Sequence, residues 1–411
     1  MKRKKILVVA LGYPTKENPF EGSFFKEQVD LLSTRYECSV LVYKERTKGI
    51  LISPKICYHE QEYTRGVKQY YPTVFITVFR RGLEYIGSMY KKKTCDENAV
   101  GIYRADSYIK YRKKQIRKII THLNLSFDIV YCISAQGSVF QASIIAESRK
   151  KPLVVSEHRP YPHPGWSTID VEKEAIENAE CFLAIGKDKI RQIMLQDIKP
   201  KRIAYIGNMV DEDTFFIDPI EHDYPTLLIV GAYSYFKNYD MFIETISKLT
   251  KLTNCYFKVL VAGYGANKGY AKNEELLEQK IRESNFSDRI ELIKVIPRDS
   301  MCKLYNRADA LVITSIQEGQ PMVALEAACC GLPIFSTRCG GVEDYVTDDI
   351  GRIVDITDSD RMANYLCDFI EGRIIFNRDK IRNRIISLFG KEVFLNKIGY
   401  EFDRLMKEKE T

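Results

Sequence analysis

Short apolar, β-branched runs recur along the chain, and between them lie turns followed by stretches of helix formers. Residues 6–10 (ILVVA) read as a first strand, and the Gly/Pro-punctuated loop after it opens a helix near Gly22. Residues 38–43 read as a second strand, after which the pattern turns irregular until residue 127 and assigns no elements. Residues 127–133 predict a strand entering a turn at Gln136-Gly137-Ser138, 139–147 a helix, and 152–156 a buried strand ending at Glu157-His158. A further strand is expected at 181–185. Beyond residue 225 the pattern restarts, with strands at 226–231, 257–265, 290–295, 310–314 and 351–355. Helices are expected at 238–248, 274–284, 321–330, 359–370 and 391–407. Strands alternating with helices predict an α/β fold with parallel sheets, in which ligands bind beyond the carboxyl ends of the strands.

Length divides this pattern in two. At 411 residues the chain exceeds one ordinary domain and fits two of roughly 180–200 residues each. The boundary is expected between Tyr205 and Tyr224, giving domains at 1–205 and 225–390 and a terminal helix at 391–411. A hydrophobic share of 45% with a charged share of 28% argues against both a disordered and a membrane-spanning class. The net charge of +7 is mild at this length, and with no aromatic-basic platform it predicts no nucleic-acid partner. The basic start MKRKK precedes an apolar run that breaks at Gly12-Tyr13-Pro14, so it reads as a strand rather than a signal peptide. Eleven irregularly spaced cysteines without a Cys-x-x-Cys pair predict reduced thiols in the cytoplasm and no structural zinc. The first loop lacks GxGxxG, which argues against a nicotinamide enzyme.

The chemistry concentrates between Ser315 and Gly341, SIQEGQPMVALEAACCGLPIFSTRCGG. Pro321 stands near the first position of the expected helix and Gly331 just past its last. The amides of Gly319, Gln320, Met322 and Val323 lie at the helix N-terminus, where an anion is favoured. Glu318 falls in the loop before the helix and Glu326 about one and a half turns inside it. A carboxylate can accept bonds from both hydroxyls of a diol. The arrangement therefore suggests Glu318 at a sugar, the amides near a phosphate and Glu326 at a ribose.

The two glutamates come with Gly319, Pro321, Ala327, Gly331 and Pro333, and then with Gly340, Gly341 and Glu343. This ensemble resembles the retaining glycosyltransferases of family 4, whose signature contains EGxPxxxxEAxxxGxP. The resemblance implies the GT-B architecture: two Rossmann-like domains facing across a cleft, the first on the acceptor side and the second binding a nucleotide sugar. It also implies that the terminal helix crosses back onto the first domain. By the same resemblance Gly22 and Ser23 belong to the loop that approaches the donor's diphosphate and the acceptor. The string VVSEH looks like the family's strand ending in Glu-His, which makes His158 a catalytic candidate beside Glu318 and Lys237. The stretch Gly207-Asn208-Met209-Val210-Asp211 with Phe215 resembles the segment that closes the family's first domain. Gly231 and Lys237 resemble the family's GRxxxxKG, but Ala232 stands where the arginine is expected, so one phosphate-binding cation is missing. The implied donor-binding set is Gly22, Ser23, Gly231, Gly319, Gln320, Pro321, Met322, Val323 and Glu326.

The implied reaction is retaining transfer of a hexose-type sugar from a nucleotide-diphosphate sugar to a glycan or lipid-linked acceptor in surface polysaccharide synthesis. No metal and no bound cofactor are expected, because helix amides and Lys237 would stabilise the leaving diphosphate. Two alternatives stay open: a non-catalytic nucleotide-sugar-binding subunit, prompted by Ala232, and a sugar epimerase or phosphorylase of the same fold. The expected location is cytoplasmic and peripheral, on an anionic membrane surface. The motive is the span 63–118, where Tyr70-Tyr71, Val74-Phe75-Ile76 and Val78-Phe79 neighbour Arg80-Arg81, the lysines at 91–93 and Arg112-Lys113-Lys114. No run approaches the roughly 20 apolar residues needed to cross a bilayer.

Overall fold

The computed structural model describes residues 3–15, 21–48, 56–63, 66–76, 106–158, 170–264 and 270–407. The chain divides into two compact units, Met1–Ile206 with Leu395–Thr411, and Gly207–Phe394.

The strands of the first unit are β1 (Lys5–Ala10), β2 (Glu37–Val42), β3 (Lys44–Thr47), β4 (Glu60–Tyr63), β5 (Val67–Tyr70), β6 (Thr73–Ile76), β7 (Ile129–Cys132), β8 (Leu153–Glu157), β9 (Cys181–Ala184) and β10 (Ile203–Tyr205). Eight of them form one sheet in the order β10-β9-β8-β7-β1-β2-β5-β4. It is parallel except at its edge, where the polar strand β4 runs antiparallel to β5, while β3 and β6 pair separately. The helices are α1 (Ser23–Leu32), α2 (Asp106–Leu123), α3 (Ala135–Arg149), α4 (Asp170–Asn178) and α5 (Lys187–Leu195). Strands β7, β8 and β9 are buried at every position, as central parallel strands covered on both faces must be.

The stretch from 44 to 123, to which the sequence pattern assigned nothing, holds four short strands and the 18-residue helix α2. Its strands are four residues each and, unlike the equally short apolar runs of β7 and β9, carry polar positions, so neither an apolar run nor alternation shows. The surface role expected for the aromatic part of this stretch is corrected here. Tyr70, Tyr71, Val74 and Ile76 are buried in the unit, and buried Arg112 pairs with Glu45 at 2.6 Å. Val78, Phe79, Arg80, Arg81 and residues 91–93 lie outside the described residues.

The second unit holds β11 (Thr226–Val230), β12 (Lys258–Tyr264), β13 (Ile290–Lys294), β14 (Ala310–Ile313), β15 (Ile334–Thr337) and β16 (Gly351–Val354). They form one parallel sheet in the order β13-β12-β11-β14-β15-β16. The chain runs outward to one edge from β11 and then restarts at β14 on its other side, so the boundary between these two strands is a topological switch point. The helices are α6 (Tyr239–Leu252), α7 (Ala271–Arg282), α8 (Met301–Asn306), α9 (Met322–Cys329), α10 (Ser359–Ile370) and α11 (Arg378–Phe389). A last helix, α12 (Lys391–Lys407), belongs from Leu395 onward to the first unit. There it buries Ile398, Phe402, Leu405 and Met406, with the Phe402 ring against Tyr131 and Tyr36. Glu401 accepts two bonds from Arg202, at 2.7 and 2.9 Å.

Candidate functional site

The loops that leave β11 and β14 at the switch point carry the candidate residues of the second unit. After β11 comes Gly231, whose carbonyl accepts from the Tyr239 hydroxyl at 2.9 Å, and then a short turn ending at Lys237. The two loops are stitched together: the Thr314 hydroxyl donates to the Lys237 carbonyl at 2.9 Å, and the Ile316 amide to the Phe236 carbonyl at 2.8 Å. Lys237 Nζ and Ser315 Oγ both donate to Glu318 Oε1, each at 2.7 Å. At 232 the side chain is a methyl, and the alanine's carbonyl accepts from the Ser234 amide at 2.7 Å.

Gly341 closes the floor of this loop. Its φ is +76°, and a Cβ there would stand 2.4 Å from the Gly319 carbonyl oxygen, an approach that only glycine permits. The extended Pro321 caps α9 from outside, so the first helical residue is Met322 and not the proline expected from the sequence. The amides of Gly319, Gln320, Met322 and Val323 have no acceptor among the described residues, which leaves four N–H groups at one helix start. The Gln320 side chain is held by the Asn208 amide, and its carbonyl by Asn208 Nδ2 at 3.0 Å. Gln320 Oε1 is therefore occupied, while its backbone amide, among the described residues, is not.

Glu326, on α9, is 1% exposed. Its Oε1 accepts from Arg298 Nη1 at 2.6 Å and its Oε2 from the Tyr305 hydroxyl at 2.7 Å. A buried carboxylate is costly unless paired and hydrogen-bonded, and these two donors meet that condition. Burial, reinforced by the neighbouring Glu326, pushes the Tyr305 phenol well above its ordinary range, so it remains a donor. The two motif glutamates thus share one plan, with a cation and a hydroxyl on each: Lys237 and Ser315 for Glu318, Arg298 and Tyr305 for Glu326. Arg298, Tyr305 and Ser315 were not singled out from the sequence, because they reach the carboxylates from other elements or, for Ser315, through an unremarkable i,i+3 spacing. No group of three or more His, Cys, Asp or Glu among the described residues is placed to hold a metal ion.

In the first unit the structure brings Gly22, Ser23 and His158 together at the carboxyl ends of the strands. Gly22 precedes α1 with φ +67°, and a Cβ there would stand 2.6 Å from the Gly12 carbonyl oxygen. The rings of Phe24 and Phe25, on the first turn of α1, lie edge-on to His158 at 5.5 and 5.3 Å. His158 Nε2 lies 3.1 Å from Ser156 Oγ, which in turn lies 3.0 Å from the Tyr131 hydroxyl. Its neighbour Glu157 is fully buried and accepts from the Gln136 amide at 2.7 Å, while Glu172 accepts from the Gly137 amide at 3.1 Å. Of the Glu-His pair, then, the glutamate holds a turn and the histidine faces α1.

Residues 210–387 match the family described as glycosyl transferases group 1. A phosphatidylinositol N-acetylglucosaminyltransferase component from Arabidopsis thaliana is 23% identical over 275 residues, which are 65% of this chain and 59% of that protein. The chain thus spans less than two thirds of that relative's length. Lipopolysaccharide 1,6-galactosyltransferase of Salmonella typhimurium is 25% identical over 287 residues, 68% of this chain and 76% of that protein. Among solved structures, HepE of Anabaena in complex with UDP and glucose superposes with a TM-score of 0.68 at 14% identity, over 98% of this chain and all of that one. The fold is that of the GT-B glycosyltransferases.

Proposed function

We propose, from the match of residues 210–387 to the glycosyl transferases group 1 family, that the chain is a retaining glycosyltransferase, moving a hexose-type sugar from a nucleotide-diphosphate sugar to a glycan or lipid-linked acceptor. The observation that carries this reading is the switch-point cluster, in which two cation-paired glutamates flank four amides without acceptors. UDP bound to a protein of the same fold supports a nucleotide donor, and the names of the plant and Salmonella relatives support a lipid or surface-glycan acceptor.

The diphosphate seats on the amides of Gly319, Gln320, Met322 and Val323 and draws Lys237 away from Glu318. Freed of the lysine, the Glu318 carboxylate accepts from sugar hydroxyls, while Glu326 accepts from the ribose. The bond from the anomeric carbon to the diphosphate breaks as a bond to the acceptor oxygen forms on the same face, and the acceptor's proton passes to the departing phosphate. Lys237 and the amides stabilise the charge that develops on the leaving group, an effect worth several kcal/mol. With alanine at 232, the amides carry a larger share of that work. By the resemblance, His158 assists at the sugar, and Gly22 and Ser23 belong to the loop that approaches the donor's diphosphate and the acceptor. In surface polysaccharide synthesis such an enzyme works from the cytoplasm.

A panel of nucleoside diphosphates in thermal-shift and turnover assays tests this reading, since a ligand at 100 times its dissociation constant stabilises by about 2.7 kcal/mol. Glu326→Ala should weaken nucleotide binding by about 1–3 kcal/mol, and Glu318→Ala should spare binding but depress transfer. Equal affinity in wild type and Glu326→Ala would reject the ribose assignment. Ala232 favours a second reading, a nucleotide-sugar-binding protein without turnover, and nucleotide binding with neither transfer nor slow donor hydrolysis would select it.

A further inference from the structure

We propose that the outer face of α2 docks the first unit onto an anionic phospholipid surface by electrostatics alone, without insertion. Lys110, Lys113, Lys114, Arg117, Lys118 and His122 line an open groove of about 610 Å³ on this helix. Among the described residues no acid lines it, and none of these lysines, nor Arg117, is paired with an acid. The helix divides its side chains sharply. Ile116, Ile119 and Ile120 are buried in the core of the unit, and Arg112, the one cation on that inner side, is consumed by Glu45. The outward cations are therefore surplus to folding.

Their layout says what they fit. From Lys110 to Lys118 they spread along roughly 12 Å of helix at 1.5 Å per residue, mostly exposed, instead of converging on one buried point as a site for a discrete anion would. A flat array of headgroups matches such a row. Because Ile116, Ile119 and Ile120 are committed to the core, none of these described apolar side chains is left to enter the acyl region, and the attachment must be screened by salt. Each lysine or arginine near an anionic surface strengthens partition by about fivefold. The inference rests on the lipid-linked acceptor proposed above, because docking would bring the enzyme to that substrate.

The test uses the full chain and vesicles that contain no acceptor, so its result is separate from glycosyl transfer. Co-sedimentation is compared on phosphatidylcholine vesicles and on vesicles carrying phosphatidylglycerol, at about 0.1 M and at high salt. The expected result is binding to the anionic vesicles alone, lost at high salt. The variant Lys114→Glu/Arg117→Glu/Lys118→Glu should lower partition at least about a hundredfold while its nucleoside-diphosphate thermal shift stays as in wild type. Should that variant not fold, the corresponding glutamine substitutions and the salt dependence of wild type decide. Equal partition to both vesicle types, unchanged binding in the variants, or tighter binding to a DNA duplex than to anionic vesicles would overturn the proposal. Vesicle binding without any transfer would instead leave the docking standing and remove the enzymatic reading.

Discussion

Glu326 shows how much of a site one side chain can conceal. Its position in the motif is plain in the sequence, yet its environment is set by Arg298 and Tyr305, which come from the turn after β13 and from α8. Tyr305→Phe removes the donor to Oε2 and should cost about 1–3 kcal/mol, and Arg298→Ala, which strands a buried carboxylate, about 3–5 kcal/mol, both read by denaturant unfolding. A nucleoside diphosphate should recover part of either loss if the ribose hydroxyls take the vacated lone pairs. Glu318 differs in being partly exposed, with a side-chain accessibility of 17%, so its loss should register in turnover more than in stability. Both glutamates were legible because a fixed spacing accompanied them; their partners were not, because no local pattern ties residue 298 or 305 to 326.

The strands and helices that hold the site were legible where a strand is a continuous apolar run, as in β11, or a helix is long and periodic, as in α6 and α10. They were hidden between 44 and 123, where strands of four residues and a lysine-rich helix mask the apolar spacing of Ile116, Ile119 and Ile120. The loop joining β15 to the turn at Val342 depends on Gly341, and Gly341→Ala should both strain a left-handed position and drive a methyl into the Gly319 carbonyl. A cost of at least about 1–3 kcal/mol follows, with nucleotide affinity falling alongside stability. On α12, burial tends to raise the Glu401 carboxyl, but Arg202 and Arg404 more than offset it and hold it below its ordinary range. Stability from this group is full above the ordinary glutamate value of about 4.3 and is lost as pH falls through the depressed folded value. Glu401→Gln should therefore flatten the acid limb of the unfolding profile, and an unchanged limb would refute the assignment.

The chain passes between its two units twice, at Ile206 and again inside α12. The first passage sits at the near end of the Tyr205–Tyr224 stretch. The residues beyond it go with the second unit because Asn208 is bonded to Gln320, and Arg382 donates to the Glu212 carbonyl at 2.8 Å. Such long-range bonds are invisible to composition, which sees only a Pro- and Asp-containing connection. The second passage makes the first unit discontinuous. Ending the chain at Phe394 would remove Ile398, Phe402, Leu405 and Met406, at about 1.5–3 kcal/mol for each large buried side chain. That sum rivals the whole stability of an ordinary domain. The truncated chain should lose hydrogen-exchange protection at β7 and β9 while β11 and β14 keep theirs.

Discontinuity also sets an order of events during synthesis. The strands of the first sheet are all in hand once residue 205 has been made, but the helix that covers Tyr131 and pairs with Arg202 arrives about 190 residues later. At 5–20 residues per second the ribosome needs roughly 10–40 s to reach it. For that interval the nascent sheet carries an open apolar seat, and the second unit, whose residues lie wholly in between, has time to fold first. Ribosome-stalled chains ending at Phe394 and extended by an unrelated linker that fills the exit tunnel should accordingly show a folded second unit beside an unfinished first one, bound by chaperones at the seat that α12 later fills.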